Sequence, residues 1–323
     1  MTCIRSLAGR RDLPSAHVAL RSIGFPLRVA LATIALVALP SLAACGGAGG
    51  GGGVTPPPTD TTTTPAPITW NLVWSDDFDG AAGASVDPAR WSFDLGDGCS
   101  AGICGWGNNE KELYTNATDN VSLDGQGHLA IVARVAALSV SCYYGPCQYT
   151  SAKITTRGKM NAAPGRVEAR IKIPAGQGLW PAFWMLGNDF ATAGWPASGE
   201  LDIMENKGSQ PNTSSSAIHG PGYSGNTPFA HANTIGPGTL ADGYHVYAVE
   251  WDAQAARFYV DGTMHYAVYR SDIQRYGTSI LDKPYFIILN LAVGGNFDGD
   301  PQSSAIFPAT MLVDYVRVYT ASK

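Results

Sequence analysis

Three carboxylic acids lie within six residues of a stretch that otherwise has the pattern of a buried β-strand: Glu200, Asp202 and Glu205 in GELDIME. Packing like charges so closely raises the cost of ionising each one, which indicates a metal site or acid/base chemistry. Alternate strand residues share a face, so Glu200 and Asp202 point one way and Glu205 the other. One extra residue in a β-bulge near Ile203–Met204 would return Glu205 to that face. The spacing therefore favours acid/base chemistry, with an acidic, solvated edge strand as the alternative.

Three tryptophans precede this acid cluster, and they are candidates for a sugar-binding surface. Trp180, Trp184 and Trp195 lie within the 20 residues before Glu200. Sugars present apolar C–H faces and polar edges, which suit amphipathic aromatic rings. Packing in the core is the alternative for each ring, and Trp195 is the one whose position most favours a cleft.

Six stretches in this order resemble glycoside hydrolase family 16, and most of all its bacterial laminarinase-type β-1,3-glucanases, along nearly all of residues 70–320. They are WGNNEKELYT (106–115), YTSAKITTRGK (149–159), GRVEARIKIPAGQGLWPAFWMLG (165–187), GELDIMEN (199–206), NLAVGGNFDGD (290–300) and VDYVRVY (313–319). The resemblance implies an all-β fold: a jelly-roll, concanavalin-like β-sandwich of two antiparallel sheets with a concave glycan-binding cleft. Phe297 departs from the pattern, because the family often has tryptophan there, and so does the Ser/Thr-rich segment after Asn206.

The resemblance also implies catalytic roles for the three acids. A retaining glycosidase needs two carboxyl groups ~5–5.5 Å apart, one as nucleophile and one as acid/base. Glu200 matches the nucleophile and Glu205 the general acid that later acts as base. Asp202 lies between them and is expected to hydrogen-bond Glu200. Negative neighbours raise the pKa of Glu205, and the three carboxyls titrate as a coupled system.

Further residues match family positions around the substrate or a metal. Three residues match substrate-binding positions: Asn109, Arg157 and His219. The alternative for Asn109 is a turn residue, for Arg157 a salt bridge on the sheet, and for His219 a structural histidine. The resemblance implies no cofactor for catalysis. A structural calcium away from the cleft is expected near Asp77 and Asp314, with Asp76 and Asp79 nearby, because Ca²⁺ prefers oxygen ligands. Ordinary turn aspartates are the alternative there.

The N-terminal region has the pattern of an exported bacterial lipoprotein. Residues 1–45 combine five arginines with an apolar run at 29–39, which is shorter than the ~20 residues of a membrane span but suits a signal peptide. LAAC ends at Cys45, the predicted lipidation site, with ordinary cleavage near Ala44 as the alternative. Residues 46–67 are a Gly and Thr/Pro linker expected to be disordered. Residues 68–323 remain as one catalytic domain, held at the cell envelope or outer surface.

Of the six cysteines, Cys3 and Cys45 lie in the N-terminal signal region, and the other four form two C-x4-C pairs, Cys99/Cys104 and Cys142/Cys147. Such pairs could ligate zinc, but export favours disulfides. Four cysteines allow three connectivities, of which we favour the two local loops, Cys99–Cys104 and Cys142–Cys147. Small loops restrict the unfolded chain little, so their expected role is to hold loops beside the cleft.

Charge narrows the range of partners. The chain has 21 basic and 26 acidic residues, a net charge of −5, and five of the arginines lie in residues 1–45. An acidic domain disfavours nucleic acid and anionic membranes. The expected partner is therefore the β-glucan polysaccharide that the resemblance implies, with membrane contact only through the N-terminal anchor, and the protein is expected to be a monomer.

Strand patterns recur along the domain, at 120–134, 165–173, 245–251, 256–260, 285–293 and 311–319. Asp261–Gly262 between two of them predicts a hairpin, and a short helical turn is expected at 272–276. The function implied is endo-hydrolysis of β-1,3-glucan. A mixed-linkage glucanase, a galactanase or a transglycosylase would share the acid motif, because loops determine specificity. A glycan-binding lipoprotein without turnover is the alternative of another class, and the presence of both Glu200 and Glu205 argues against it.

Overall fold

Residues 68–137 and 139–322 are described by a computed structural model, and strands dominate them. The strands are β1 Trp70–Asp76, β2 Ser92–Phe93, β3 Glu112–Tyr114, β4 Val121–Leu123, β5 Leu129–Val135, β6 Ser141–Cys142, β7 Gly145–Pro146, β8 Tyr149–Ser151, β9 Lys153–Thr155, β10 Gly165–Lys172, β11 Leu179–Gly187, β12 Glu200–Asn206, β13 Thr213–His219, β14 Phe229–Thr234, β15 His245–Trp251, β16 Ala255–Val260, β17 Thr263–Tyr269, β18 Tyr285–Val293 and β19 Ala309–Ala321. The described helices are short: α1 Phe190–Ala193, α2 Arg270–Ile273, and 3₁₀ turns at Cys99–Ala101 and Cys104–Gly107. No helix within these ranges has the length and apolar character needed to cross a membrane.

The strands form two large sheets. The ten-stranded sheet has the order β17-β16-β15-β10-β19-β5-β8-β3, with β1 added at β19 and β4 at β5. The seven-stranded sheet has the order β14-β13-β12-β11-β18-β9-β2. Pairing is antiparallel throughout both sheets except between β3 and β8, and β6 and β7 form a separate hairpin. The predicted all-β jelly-roll sandwich of two antiparallel sheets is confirmed.

Strand β18 shows how the seven-stranded sheet is buried on both faces. All nine of its residues are buried. Every second residue, Tyr285 through Val293, belongs to the main core between the sheets. Phe286 and Ile288 point the other way and pack with Trp184 and Phe190 in a smaller cluster. The same outer face carries Asn290, two residues beyond Ile288, so this strand supplies both a hydrophobic support and a polar group for the site.

Two local predictions can be compared with the structure. The Asp261–Gly262 hairpin is confirmed, since both residues have positive φ, 49° and 76°, as a two-residue turn between β16 and β17 requires. The strand expected over 120–134 is divided into β4 and β5, because Asp124 accepts hydrogen bonds from the backbone N–H groups of Gln126 and His128 and so closes a turn between them. The short helix lies at Arg270–Ile273, slightly earlier than expected.

Candidate active site

The predicted bulge is present in β12 and is confirmed by both neighbouring strands. On β13, Ala217 pairs with Asp202 and Ser215 with Glu205, so β12 has one residue more than its partner between those pairs. The pairing with β11 is shifted at the same place. Ile203 and Met204 both enter the core cluster. Glu200, Asp202 and Glu205 therefore share one face, as acid/base chemistry requires.

That face opens into a pocket. Side chains from β9, β11, β12, β18 and the loop before β3 surround it: Trp106, Asn108, Glu110, Lys153, Trp180, Ala182, Trp184, Glu200, Asp202, Glu205 and Asn290. The three acids lie on one wall and three indole rings on the others. Aromatic walls with a few convergent polar groups are typical of a ligand site.

Two indoles hold the two glutamates in place. Trp195 Nε1 donates to Glu200 Oε2 at 2.7 Å, and Trp180 Nε1 donates to Glu205 Oε1 at 3.0 Å. Trp184 Nε1 donates instead to Asn290 Oδ1 at 2.7 Å. Trp180 and Trp184 line the pocket, and Trp195 is 46% exposed beside it. All three predicted tryptophans are thus brought to the acids, two of them as hydrogen-bond donors.

Burial and mutual repulsion keep protons on the acid cluster at neutral pH. Burial, and then the charge of Asp202, raise the pKa of Glu200 to about 8. Burial, and then the charge of Glu200, raise the pKa of Glu205 to about 7. Burial first and Glu205 second also raise the pKa of Asp202. Because the three groups share these protons, the cluster can supply a general acid, and the order of the pKa values does not assign separate roles to the two glutamates.

Asp202 and His219 form the inner part of the cluster. Asp202 is 3% exposed, and its carboxyl lies close enough to that of Glu200 to raise the pKa of Glu200. His219, paired with Glu200 across β12 and β13, places Nε2 3.3 Å from Asp202 Oδ2. Its charge lowers the pKa of Glu200. His219 therefore lies against the acid cluster but outside the pocket lining, and its role in substrate binding stays a prediction.

Two predicted substrate residues lie elsewhere. Asn109 is exposed, with φ of 59°, and its side chain donates to Asn296 Oδ1 at 2.9 Å. The preceding residue, Asn108, lines the pocket instead. Arg157 pairs with Asp94 and stays outside the pocket lining, which is the salt bridge considered as its alternative.

Sequence reasoning missed six residues of the pocket lining: Trp106, Asn108, Glu110, Lys153, Ala182 and Asn290. Lys153 lies with Nζ 4.3 Å from the ring centre of Trp106 and 4.9 Å from that of Trp184. Burial lowers its pKa. Glu110 accepts from Asn108 Nδ2 at 3.0 Å and from Tyr114 Oη at 3.2 Å. A lysine inside a buried strand segment was the available signal for Lys153, whereas Trp106, Glu110 and Asn290 converge only through the fold.

Both predicted disulfides are present, Cys99–Cys104 and Cys142–Cys147. The first closes the turn that ends two residues before Trp106, which lines the pocket. Asp97 joins the two loops, because its carboxylate accepts from the backbone N–H of Cys99 at 3.2 Å and of Tyr143 at 2.8 Å. The bridges thus support one wall of the pocket, as expected.

The aspartates expected to bind calcium are paired with arginines. Asp77 Oδ1 accepts from Arg317 at 2.8 Å, and Asp314 pairs with Arg170. Within the described part of the chain, the grouping with three potential metal ligands is Glu200, Asp202 and His219, which coincides with the acid cluster. The side chains at Asp77 and Asp314 do not fit a calcium site as placed, so calcium binding stays a prediction and no step depends on it.

Comparison with known proteins agrees with this geometry. The profile of glycosyl hydrolases family 16 matches residues 108–317. The chain is 40% identical over 277 residues to glucan endo-1,3-beta-glucosidase A1 of Niallia circulans, covering 79% of this chain and 38% of that protein. It is 36% identical over 260 residues to a beta-glucanase of Rhodothermus marinus, covering 77% and 85%. The solved endo-β-1,3-glucanase of Pyrococcus furiosus is 42% identical, with a TM-score of 0.74 and coverage of 79% and 95%.

Fold and site together define a β-sandwich protein with a carboxylate-lined, aromatic pocket. The chain belongs to glycosyl hydrolases family 16. It spans about two fifths of the length of the Niallia relative and most of the Rhodothermus relative, so the family assignment concerns the domain described above.

The buried acid cluster should cost the fold stability at high pH. A carboxyl whose folded pKa is raised, here to about 7 for Glu205, contributes stability below its unfolded pKa of ~4.3 that is lost as pH rises through the folded pKa. Glu205→Gln removes this loss. The variant should be more stable than the parent by about 2–4 kcal/mol at pH 8 and equal at pH 4. Thermal unfolding at both pH values checks this, and the same difference at both would contradict it.

Proposed function

We propose that this domain is a retaining endo-glycosidase that cleaves β-1,3-glucan of the laminarin type. One observation carries the proposal: two glutamates, each held by an indole N–H, lie on one face of a bulged strand in an aromatic pocket. Membership of the family and the names of the relatives support the same substrate.

The first half of the reaction uses both glutamates. A Glu200 carboxylate oxygen attacks the anomeric carbon, while Glu205 gives its proton to the glycosidic oxygen. The glycosidic bond breaks, the leaving sugar departs as an alcohol, and an ester joins the remaining sugar to Glu200. The protons shared by the cluster at neutral pH keep Glu205 protonated, so that it can act as the acid. The hydrogen bond from Trp195 orients Glu200.

The second half reverses the roles. Glu205, now ionised, takes a proton from a water molecule, whose oxygen attacks the anomeric carbon and releases Glu200. Two inversions return the β-configuration. Asp202 and His219 lie beside Glu200 and shift its pKa in opposite directions, Asp202 upward and His219 downward.

Release of reducing ends from a substrate panel tests the proposal. Laminarin should be cleaved fastest among laminarin, lichenan, agarose and carrageenan, with a ladder of oligosaccharides that shows endo-cleavage. Faster release from lichenan would assign a mixed-linkage enzyme, and from agarose or carrageenan a galactanase. Conversion of laminarin oligosaccharides to longer products would indicate a transglycosylase. Binding of laminarin without release of any product would contradict the enzymatic proposal and leave a glycan-binding protein.

We also propose that the chain is an exported lipoprotein anchored through Cys45. Residues 1–67, which include the signal, Cys45 and the linker, lie outside the described residues, and the sequence pattern alone supports this part. The monomeric state and the lack of nucleic-acid partners likewise stay predictions.

Cys45→Ala should release the protein from the membrane fraction or block its processing, because the thiol that would carry the lipid is gone. Activity of the domain should be unchanged, since Cys45 is remote in sequence from every pocket residue. Fractionation of cells that express each form, followed by a laminarin assay, measures both effects. Membrane association that survives the substitution would refute lipid anchoring at this cysteine.

A further inference from the structure

The bulge that turns Glu205 toward the pocket interrupts the pairing of β12 with β13. Ile203 and Met204 have no Cα partner on β13, and Ser216 has none on β12. A bulge leaves its extra residue outside the hydrogen-bond ladder. Ile203 is 1% exposed, and a buried backbone carbonyl needs a donor. On the β13 side of the bulge, the carbonyl of Ile203 therefore needs a donor other than the strand ladder.

Ser216 supplies that donor. Its Oγ lies 2.8 Å from the carbonyl oxygen of Ile203 and donates to it. The side chain is 1% exposed, so water does not compete for the hydroxyl. In the register, Ser216 lies directly between the partners of Glu205 and Asp202. The hydroxyl is thus bonded to one of the two bulge residues that separate these acids along β12.

His265 makes a second contact with this hydroxyl from the other sheet. Its Nε2 lies 3.4 Å from Ser216 Oγ. A serine has one proton, which goes to Ile203, so the imidazole must be the donor and Nε2 carries its proton. Burial, and then His231, lower the pKa of His265 to about 4, which keeps the ring neutral. The contact leaves the serine proton for the Ile203 carbonyl.

We propose that Ser216 is a positioning residue for the acid/base Glu205, acting by holding the Ile203 carbonyl and so the bulge. The inference rests on the proposed function, because it assigns Glu205 a proton-transfer step. Ser216 is not among the residues that line the pocket, so its effect must pass through β12. A displaced general acid protonates the leaving group poorly while the sugar still binds.

The same strand offers a matched control. Ser214 is 2% exposed and lies two residues from Ser216, on the same face of β13. Among the described residues its Oγ has no hydrogen-bond partner. Ser214→Ala and Ser216→Ala therefore delete the same atom at the same depth, and only the second removes a bond to the bulge.

Steady-state kinetics of these variants test the proposal with two substrates. On laminarin, Ser216→Ala should lower kcat about 10- to 100-fold, the order expected for a small displacement of a catalytic group, with KM unchanged. On a dinitrophenyl β-laminaribioside, whose leaving group needs no proton, kcat/KM should stay at the parent value. Ser216→Thr keeps the hydroxyl and should restore laminarin activity. Ser214→Ala should match the parent on both substrates.

Amide hydrogen exchange at residues 201–206 gives a readout that needs no activity. Exchange there should be faster in Ser216→Ala than in Ser214→Ala. Ser216→Cys fills nearly the same space with a weaker donor, so exchange at residues 201–206 should be faster than in the parent but slower than in Ser216→Ala. This variant also provides the test if Ser216→Ala fails to fold. Equal effects of the two alanine variants, or equal losses on both substrates, would overturn the proposal. A parent protein that cleaves no glucan would refute the proposed function, while exchange would still decide whether Ser216 holds the bulge.

Discussion

Glu200→Gln is expected to lower the rate of laminarin hydrolysis by more than about 10⁴-fold, because loss of the nucleophile should cost at least as much as loss of an acid/base group. The amide keeps the shape of the side chain and can still accept from Trp195 Nε1, so the fold and glycan binding should remain. Reducing-sugar assays, with laminarin binding measured alongside, would show a catalytic loss without a binding loss.

Glu110→Gln is the matched control, since it also neutralises a carboxyl group of the pocket lining. The loss of laminarin hydrolysis in this variant should be far smaller, because Glu110 hydrogen-bonds Asn108 and Tyr114 rather than the acid cluster. Azide adds a direct assignment. With a dinitrophenyl β-laminaribioside, Glu200→Ala plus azide should yield the α-glycosyl azide, because azide replaces the enzyme nucleophile in one inversion. Near-parent activity of Glu200→Gln would remove the assignment.

Glu205→Ala should lower laminarin hydrolysis by ~10²–10⁴-fold, the range expected for a general acid/base. The loss should depend on the leaving group. For the dinitrophenyl substrate, formation of the glycosyl-enzyme needs no proton from the enzyme. The variant lacks only the proton donor, so its kcat/KM on this substrate should stay within about tenfold of the parent value.

Azide distinguishes this variant from the first. It attacks the glycosyl-enzyme on Glu200 from the opposite face, so Glu205→Ala should yield the β-glycosyl azide. Formation of the α-glycosyl azide by this variant would mean that Glu205 is the nucleophile and Glu200 the acid/base, the reverse of our assignment. An equal loss on both substrates would mean that Glu205 contributes something other than proton transfer.

The placement of the acids could be read from the sequence because it depends on local rules. Strand alternation places Glu200 and Asp202 on one face of the strand and Glu205 on the other. Only an inserted residue brings all three carboxyl groups to the same face. The structure has the bulge at the expected position. The disulfides were equally local, since each joins cysteines separated by five positions.

The rest of the pocket depends on long-range contacts that no local pattern encodes. Asn108 rather than Asn109 faces the pocket because the loop has left-handed residues at Trp106 and Asn109, where alternation no longer applies. Arg157 is drawn to Asp94, 63 residues earlier. Asn290 meets Trp184 through a strand pairing across 106 residues. These contacts follow from sheet order, which the sequence does not reveal.

The stereochemistry of the first products tests the central claim most directly. Proton NMR of laminarin during the first minutes of cleavage, before mutarotation, reports the anomer released. Attack by Glu200 followed by water gives two inversions, so the β-anomer should come first. Initial α-anomer would mean a single inversion and carboxyl groups ~6.5–9.5 Å apart. That result would contradict both the nucleophile assigned to Glu200 and the function assigned to the bulge.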